Sequence, residues 1–289
     1  MSIKENLEQV RQNIANAATK AGKKPDDIIL VMATKTVEPE RIREAIRAGG
    51  HIVAENKVQE ALKKYEVLKN EDAEWHFIGH LQTNKIKDVL KFADMIHSVD
   101  RLSLAEKLDQ RLQQEGRSLD ILVQVNTSHE ESKYGVAPEE ALSLVKQTAR
   151  YDTLKIHGLM TIGLFTKDEV KIRKCFKVLK EINDNIVKEG IDRVDMKYLS
   201  MGMSGDYQIA IEEGANMVRI GTAIFVDGRL LPNTELGHLE VRGMEAEHRA
   251  SAKVRADRGL GWAEWAAAVN EVLAAYHALV SLFGFTPFG

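Results

Sequence analysis

Short apolar runs recur along the first three quarters of the chain, and a helical pattern separates each run from the next. The runs are four to seven residues long and rich in β-branched residues, which is typical of strands that are buried on both faces. The intervening segments repeat their apolar residues at intervals of three and four, which predicts amphipathic helices. The predicted strands are 28–33, 51–54, 75–78, 95–99, 121–125, 156–162, 196–199 and 217–220.

Helices are predicted ahead of the first strand and between successive strands. The first runs from Ser2 to Ala21, and the others cover 38–48, 56–68, 83–92, 102–115, 138–149, 167–188 and 205–213. Alternation of this kind implies right-handed crossovers and a parallel sheet. An open doubly wound sheet usually has about six strands, so eight strands favour an α/β fold of the (β/α)8 TIM-barrel type.

The composition of the chain changes near residue 223. Residues 223–289 contain one Lys and five Arg, whereas residues 1–222 contain 23 Lys and 11 Arg. Ala also makes up 12 of the last 67 residues. No Ile follows Ile224. An Ala-rich helical appendage would explain the Ala content, but two segments of different genetic origin better explain the joint change in Lys, Ile, Ala and Arg. We therefore predict a barrel domain at 1–225 and a mostly helical extension at 226–289 that is not an independent functional domain.

Composition also narrows the class of protein. The chain is 44% hydrophobic with a formal net charge of −3, which gives no general attraction to nucleic acid or acidic membranes. Cys175 is the single cysteine, which excludes intrachain disulfides, thiolate zinc sites and iron–sulfur clusters, and no other metal-ligand spacing is evident. The N-terminus has no apolar leader, and no apolar stretch reaches roughly 20 residues. We expect a soluble, cytoplasmic protein.

Polar side chains follow the first three predicted strands, at the end of a TIM barrel where active sites lie. Lys35 follows the first strand, where a lysine partly withdrawn from water can form a Schiff base, although a surface lysine in a loop is the plainer alternative. Asn56 follows the second strand, and Gln82 and Asn84 follow the third. Amides there can hold the oxygens of a small ligand, or they can cap helices.

The segments after the last two strands predict a phosphate site. The seventh strand leads into Ser200-Met-Gly-Met-Ser204, and the eighth includes Arg219-Ile-Gly-Thr222. Barrels often bind phosphate at this position through small residues that allow close backbone approach. A phosphate site that faces a lysine on the first strand is the arrangement that pyridoxal 5′-phosphate (PLP) needs.

Seven ordered segments carry a more specific pattern. They are MATKT at 32–36, AENKVQE at 54–60, WHFIGHLQTNK at 75–85, QVN at 124–126, GLM at 158–160, LSMGMS at 199–204 and VRIGTAIF at 218–225. Through them, residues 1 to about 225 resemble the pyridoxal-phosphate homeostasis proteins, the YggS/PROSC family, nearly end to end. The resemblance implies the barrel of the alanine racemase N-terminal domain and a role in holding, buffering or delivering PLP for vitamin B6 homeostasis.

The same resemblance implies roles for single residues. Lys35 would be the Schiff-base lysine, and Arg219 would lie near the pyridine nitrogen, keep it unprotonated and weaken the cofactor as an electron sink. The resemblance also implies that the phosphate is contacted by Ser200, Gly221 and Thr222. The predicted cofactor-binding set is completed by Asn56, with Met201, Gly202 and Ser204 as further candidates.

The chain departs from that family's pattern in two places. Val53 and Ala54 replace the more usual aromatic–glycine pair, and His80 stands where proline is common. A histidine at that position could act as a general base. We interpret His80 instead as a helix-entry residue that is hydrogen-bonded to the backbone.

A second resemblance begins near residue 221. The segments 221–240, 247–251 and 262–265 are similar to polyphosphate-dependent glucokinases of the ROK class, which favours a chimera and would make Glu235 and His238 sugar-binding residues. A fragment without the phosphate loops and catalytic aspartate of a kinase cannot organise phosphoryl transfer. The extension also predicts a helix at about 262–283 with a narrow apolar stripe, which must be buried on the barrel wall or in a dimer.

Three functions follow from these patterns. The leading hypothesis is a PLP carrier that is not an enzyme, is a monomer or homodimer, and has PLP and PLP-dependent apoenzymes as partners rather than nucleic acid or a membrane. The alternative is a PLP-dependent amino-acid racemase, which needs a second acid/base on the opposite face of the cofactor. The extension's only tyrosine, Tyr276, lies on the apolar stripe and does not suit that role. Glucokinase-like activity of the extension is the least favoured.

Overall fold

The computed structural model describes residues 2–130, 133–166 and 168–225, and beyond them the short stretches 240–241, 244–245 and 264–271. Eight parallel strands close into a barrel in chain order, and the last strand pairs with the first. The predicted (β/α)8 barrel is confirmed. The strands are β1 (Ile29–Ala33), β2 (Ile52–Glu55), β3 (Glu74–Phe77), β4 (Met95–Val99), β5 (Leu119–Gln124), β6 (Leu154–Met160), β7 (Val194–Met203) and β8 (Met217–Ile220).

Helices connect the strands and cover the outside of the barrel. The predicted helix at 83–92 is wrong in extent: a 3-10 turn at Thr83–Lys85 leads into a single four-residue helix, because Phe92 and Ala93 turn back and are buried against the wall. The helices are α1 (Ile3–Lys20), α2 (Pro39–Arg47), α3 (Val58–Leu68), α4 (Ile86–Val89), α5 (Leu102–Glu115), α6 (Ala141–Thr148), α7 (Glu169–Glu189), α8 (Tyr207–Glu212) and α9 (Thr222–Phe225).

Helix α1 covers the seam where the barrel closes. It packs against α2, α8 and α9, and the side-chain amide of Asn6 donates to the carbonyl of Ile224 at 3.0 Å. The helix begins with a capping box, in which Ser2 and Glu5 each accept the other's backbone N–H. A cap of this kind stabilises a helix by about 1 kcal/mol. The first and last elements of the barrel are thereby joined.

Apolar side chains form two separate layers. The larger layer lies between the strands and the helices, and the smaller one fills the inside of the barrel, as the alternation of side chains along a strand requires. The buried members of the inner layer are Val31, Ala54, Met95, Leu122, Met160 and Met217.

Strand β7 is longer than the predicted 196–199 and contains a bulge. Ser200 pairs with Met217 and Met203 pairs with Arg219, so β7 contains one residue more than β8 between these two pairs. Gly202 lies in this bulge with a φ of +91°, which glycine adopts without a steric penalty. Ser200, Met201 and Gly202 therefore belong to the strand and not to the loop after it.

The chain divides into two compact units, Met1–Leu230 and Leu231–Gly289. In the second, β9 (Glu240–Val241) pairs antiparallel with β10 (Met244–Glu245), and a helix covers 264–271. The strand pair was not predicted, because two-residue strands are too short to show a period. Glu235, His238, Tyr276 and most of the apolar stripe lie outside the described residues. None of the described helices is long and apolar enough to cross a membrane.

Candidate functional site

Four of the predicted site residues lie at the end of the barrel where the strands have their carboxyl ends, which we term the mouth. Lys35 follows β1, Asn56 follows β2, and Ser204 and Gly221 follow β7 and β8. The seam at this mouth is tight: a Cβ at Gly221 would lie 2.6 Å from the carbonyl oxygen of Ala33, so a side chain there would push β8 away from β1. Glycine is therefore required where the last strand passes the first.

Lys35 lies in a tight turn. The carbonyl of Thr34 accepts the N–H of Val37 at 3.0 Å, and the hydroxyl of Thr36 donates to the carbonyl of Lys35 at 2.6 Å. Thr36 has a φ of +62°, which a β-branched residue rarely adopts. The surrounding contacts therefore hold Thr36, the residue next to the lysine, in a conformation that it would not favour by itself.

Thr34, Glu55 and Lys64 form a buried cluster behind this turn, which we term the outer cluster. The ammonium of Lys64 donates to Glu55 Oε1 at 2.6 Å and to the Thr34 carbonyl at 2.7 Å. The Thr34 hydroxyl donates to the same Glu55 oxygen at 2.7 Å. Burial raises the pKa of the Glu55 carboxyl, and the contacts with Lys64 and Thr34 oppose that rise. The cluster ties α3 to the main chain that carries Lys35.

Arg219 on β8 is held inside the barrel and is only 3% exposed. Its Nη1 donates to the carbonyl and to the hydroxyl of Ser200 at 2.6 and 2.7 Å, and its Nη2 donates to the Thr161 carbonyl at 2.7 Å. Burial lowers the pKa of Arg219 to about 10, and the charge of Asp206 opposes that change. The guanidinium is thus positively charged at neutral pH.

Two histidines continue from Arg219 across the barrel interior. His97 Nδ1 lies 3.1 Å from Ser200 Oγ, and His97 Nε2 lies 2.9 Å from His76 Nδ1. Burial, and after it the neighbouring His76 and Arg219, lowers the pKa of His97 well below its usual value, so its ring is neutral. We term His76, His97, Ser200 and Arg219 the axial cluster.

The segments after β7 and β8 are joined at the predicted phosphate site. The N–H of Gly221 donates to Ser204 Oγ at 3.2 Å, and the N–H of Met203 donates to Asp206 Oδ1 at 2.6 Å. Burial raises the pKa of Asp206, against the effects of the Met203 N–H and the Arg219 charge. A cavity of about 380 Å³ adjoins this region and is bordered by Ser204, Ala223 and amide side chains of α1.

The remaining predicted residues lie in three different environments. The Ser200 side chain is enclosed within the axial cluster, whereas the Met201 side chain is buried in the layer between strands and helices. The Thr222 side chain lies outside the described residues. His80 was interpreted as bonded to the backbone, but its ring stacks on Tyr134 with centroids 3.7 Å apart, and its Nδ1 lies 3.5 Å from Asp100 Oδ2. Burial lowers the pKa of His80.

Sequence reasoning missed both polar clusters as functional groups. One signal was available in α3, because Lys64 occupies an apolar position of its helical period, between Ala61 and Leu68. Another was a histidine within each of two neighbouring apolar strands, at 76 and 97. Across the described residues, no group of three or more His, Cys, Asp or Glu side chains could hold a metal ion.

Comparisons with known proteins extend these observations. The family model described as alanine racemase, N-terminal domain, matches residues 6–228. A protein of Aquifex aeolicus (strain VF5) named pyridoxal phosphate homeostasis protein is 43% identical over 225 residues, which are 78% of this chain and 98% of that protein. The chain belongs to the pyridoxal phosphate homeostasis protein family.

Solved structures agree with this family assignment. An unknown protein from Bifidobacterium adolescentis is 38% identical with a TM-score of 0.73, over 77% of this chain and 94% of that one. PipY of Synechococcus elongatus PCC7942, solved with PLP bound, is 31% identical with a TM-score of 0.68, over 78% of this chain and all of that one. An alanine racemase of Clostridium difficile 630 is 14% identical with a TM-score of 0.64, a likeness of fold alone.

Proposed function

We propose that the barrel binds PLP and holds it for vitamin B6 homeostasis, buffering or delivering the cofactor with little or no catalysis. The observation that carries this proposal is the buried, charged Arg219, fixed by Ser200 and Thr161 inside the barrel whose mouth carries Lys35. Membership of the family supports it, as does the PLP bound to the similar PipY.

The residues at the mouth fit this cofactor. PLP supplies an aldehyde that condenses with a primary amine, a pyridine ring and a phosphate. Lys35 provides the amine, and the narrow approach at Gly221 leaves backbone rather than side chain facing the mouth. Asn56 Oδ1 is buried and, within the part of the chain that is described, has no hydrogen-bond partner. A bound ligand would give this orphaned oxygen the partner that buried polar atoms require.

The charge of Arg219 favours a protein that holds PLP over one that uses it in catalysis. With a pKa of about 10 the guanidinium keeps its protons at neutral pH, so it would donate a hydrogen bond to a pyridine nitrogen and would not protonate it. An unprotonated ring withdraws electrons weakly. A racemase, the alternative function, needs that withdrawal and a second acid/base on the opposite face.

Phosphate binding is assigned to the segments after β7 and β8. Ser204 and Gly221 are already joined there, and Thr222 opens α9. In this proposal Met201 and Gly202 contribute main-chain groups only, and Ser200 contributes through Arg219.

An absorption spectrum with chemical trapping tests the cofactor and its lysine. The purified chain loaded with PLP should lose its visible band on borohydride treatment, and peptide mapping should then place the pyridoxyl group on Lys35. Lys35→Ala should abolish the band, whereas Lys57→Ala, which removes an exposed lysine near the same mouth, should not. Trapping on Lys57 or Lys85 would refute the assignment.

A negative charge introduced at position 222 tests the proposed phosphate site. Thr222→Asp should weaken PLP retention at least tenfold, because a carboxylate would face the phosphate, whereas Thr222→Ser should retain it. Equal affinity of the two variants, measured by titration, would put the phosphate elsewhere.

The extension at 226–289 is proposed to be a recombined fragment of a sugar kinase that adds neither kinase activity nor cofactor contacts. The change in composition near residue 223 supports a separate origin for the extension, which lies almost wholly beyond the family match at 6–228. A chain shortened after Phe225 should bind PLP as the full chain does, and neither form should phosphorylate glucose from polyphosphate. Loss of PLP binding, or glucose phosphorylation, would contradict the proposal.

We further propose that PLP-dependent apoenzymes receive the cofactor, and that the protein acts in the cytoplasm as a monomer or homodimer. Transfer to a PLP-free aminotransferase should restore its activity faster than the release of PLP into buffer allows. Equal rates would show that delivery needs no contact between the proteins.

A further inference from the structure

The axial cluster is a continuous row of hydrogen-bonding groups inside the barrel. Arg219 bonds to Ser200, Ser200 to His97, and His97 to His76. Beyond His76, its Nε2 lies 3.5 Å from Oε2 of Glu74, a carboxylate that is 68% exposed. The row therefore begins at a buried cation and ends at an exposed anion.

The groups at the two ends favour one direction of hydrogen bonding along the row. A guanidinium can only donate, so Ser200 Oγ accepts from Arg219. His76 Nε2 is buried and, among the described residues, makes no hydrogen bond, but the Glu74 carboxylate lies 3.5 Å away and can only accept. This favours a hydrogen on His76 Nε2 and a bare Nδ1. His97 must then donate from Nε2 to His76, its Nδ1 is bare, and the Ser200 hydroxyl donates to that Nδ1.

The opposite direction is unfavourable. It would leave a bare His76 nitrogen facing the Glu74 carboxylate, or it would require His76 to be positively charged. A second cation inside a barrel that already encloses the Arg219 charge would have only the exposed Glu74 carboxylate, 3.5 Å away, to compensate it. His97 is neutral in either direction, so the choice between them rests on His76 and Glu74.

We propose that His76 and His97, each with its hydrogen on Nε2, are positioning residues that fix the Ser200 hydroxyl and through it the Arg219 guanidinium at the cofactor site. The proposal rests on the PLP-binding function proposed above. It changes the expected role of Ser200: its only hydrogen is committed to His97, so Ser200 cannot donate to the phosphate and acts as an acceptor that orients Arg219.

The tautomers can be measured directly. In the full chain labelled with ¹⁵N-histidine and free of cofactor, the side-chain nitrogen shifts of His76 and His97 should show a hydrogen on Nε2 and a bare Nδ1. Assignment comes from the signals lost in His76→Gln and His97→Asn. A hydrogen on Nδ1 of either ring would overturn the proposal. This result does not depend on PLP binding, so failure of the proposed function would be seen separately, as wild-type protein that retains no PLP.

Affinity for PLP tests the positioning role. His97→Leu removes the acceptor for Ser200, and we expect PLP binding to weaken about tenfold, since a misaligned charged hydrogen bond loses energy of that order. His97→Asn keeps an acceptor near the position of Nδ1 and should restore most of the affinity. His157→Leu is the matched control, because His157 lies on β6 beside Asp120 and outside the row, and it should bind as the wild type does.

The PLP spectrum distinguishes positioning from a general loss of structure. A displaced Arg219 should shift the absorption band of bound PLP in His97→Leu and leave it unchanged in His157→Leu. Wild-type affinity and spectrum in His97→Leu would overturn the proposal. Should His97→Leu fail to fold, Ser200→Ala removes the same link with a smaller change in volume, and wild-type affinity and spectrum in that variant would overturn it equally.

Discussion

The outer and axial clusters are both buried and both border the same mouth, but their charges are balanced differently. In the outer cluster the cation and the anion meet directly, with Lys64 bonded to Glu55 at 2.6 Å. In the axial cluster Arg219 bonds to a hydroxyl and to carbonyl oxygens, and the partners it contacts carry no opposite charge. The charges of a buried ion pair balance each other, although Glu55 Oε2 has no hydrogen-bond partner among the described residues, whereas a buried cation held by neutral groups still attracts an anion or a ligand acceptor. The difference separates a structural cluster from a ligand-binding one.

The largest effect is expected from breaking the ion pair of the outer cluster. Lys64→Met leaves the Glu55 carboxyl buried without its cation, and a loss of about 3–5 kcal/mol in the free energy of unfolding is expected from such a change. Urea denaturation of the variant would measure it.

Two controls accompany that measurement. Lys63→Met changes an exposed neighbour on the same helix and should alter stability by less than about 0.5 kcal/mol. The double variant Lys64→Met with Glu55→Leu should recover most of the loss, because apolar residues can replace a buried pair. A double variant as unstable as Lys64→Met would show that the pair does more than balance charge.

The second largest loss of stability is expected at the seam between the two clusters, where Gly221 approaches Ala33. Gly221→Ala places a methyl group 2.6 Å from the Ala33 carbonyl, and overpacking of this kind costs about 2 kcal/mol. PLP affinity should fall as well, because the seam carries Lys35 on one side and Arg219 on the other. Gly116→Ala, at a helix end with open space around it, should cost about 1 kcal/mol of backbone strain and leave affinity unchanged. Unchanged PLP affinity in Gly221→Ala would show that packing at the seam between β8 and β1 does not affect the binding site.

A pH dependence should distinguish the axial cluster. The folded pKa of His97 is depressed, so the unfolded chain takes up a proton below about pH 6.5 that the folded chain refuses. The stability that His97 contributes is complete above that pH and is lost as the pH falls, at about 1.4 kcal/mol per unit. Between pH 6.5 and 5, wild-type stability should fall more steeply than that of His97→Asn. Parallel curves would show that the ring is charged inside the barrel.

The smallest loss of stability is expected outside both clusters, where His80 stacks on Tyr134. His80→Ala removes the stacking on Tyr134 and should cost no more than about 1 kcal/mol, with PLP affinity unchanged. His80→Phe should restore the stacking and the stability. An affinity loss in His80→Ala that His80→Phe does not restore would make the imidazole part of the site.

The barrel was predictable because its evidence is local. Each strand appears as an apolar run, and β8 (Met217–Ile220) has the predicted bounds. The bulge in β7 was missed, since Ser200 and Gly202 are small residues that lack the apolar pattern of a strand. Lys35, Arg219 and Gly221 were found through strand ends and a resemblance, and their contacts with PLP stay predictions.

The two polar clusters could not be predicted, because their members are brought together only by the closed sheet. His97 and Ser200 are 103 positions apart in the chain, and no periodicity links them. A single sequence shows that a histidine occupies a strand, but its partner follows from which strands face each other across the barrel.

Closure of the barrel also determines when the protein can work during its own synthesis. Asn6 and Ile224, which are bonded across the seam, are separated by 218 positions. A ribosome that adds roughly 5–20 residues per second needs about 10–45 s to cover that span. Throughout this interval the edge of β1 has no β8 to pair with, and Val31 lacks Arg219, its partner in the register. The complete cofactor site therefore forms only after the eighth strand has been made, so the cofactor cannot guide the early stages of folding.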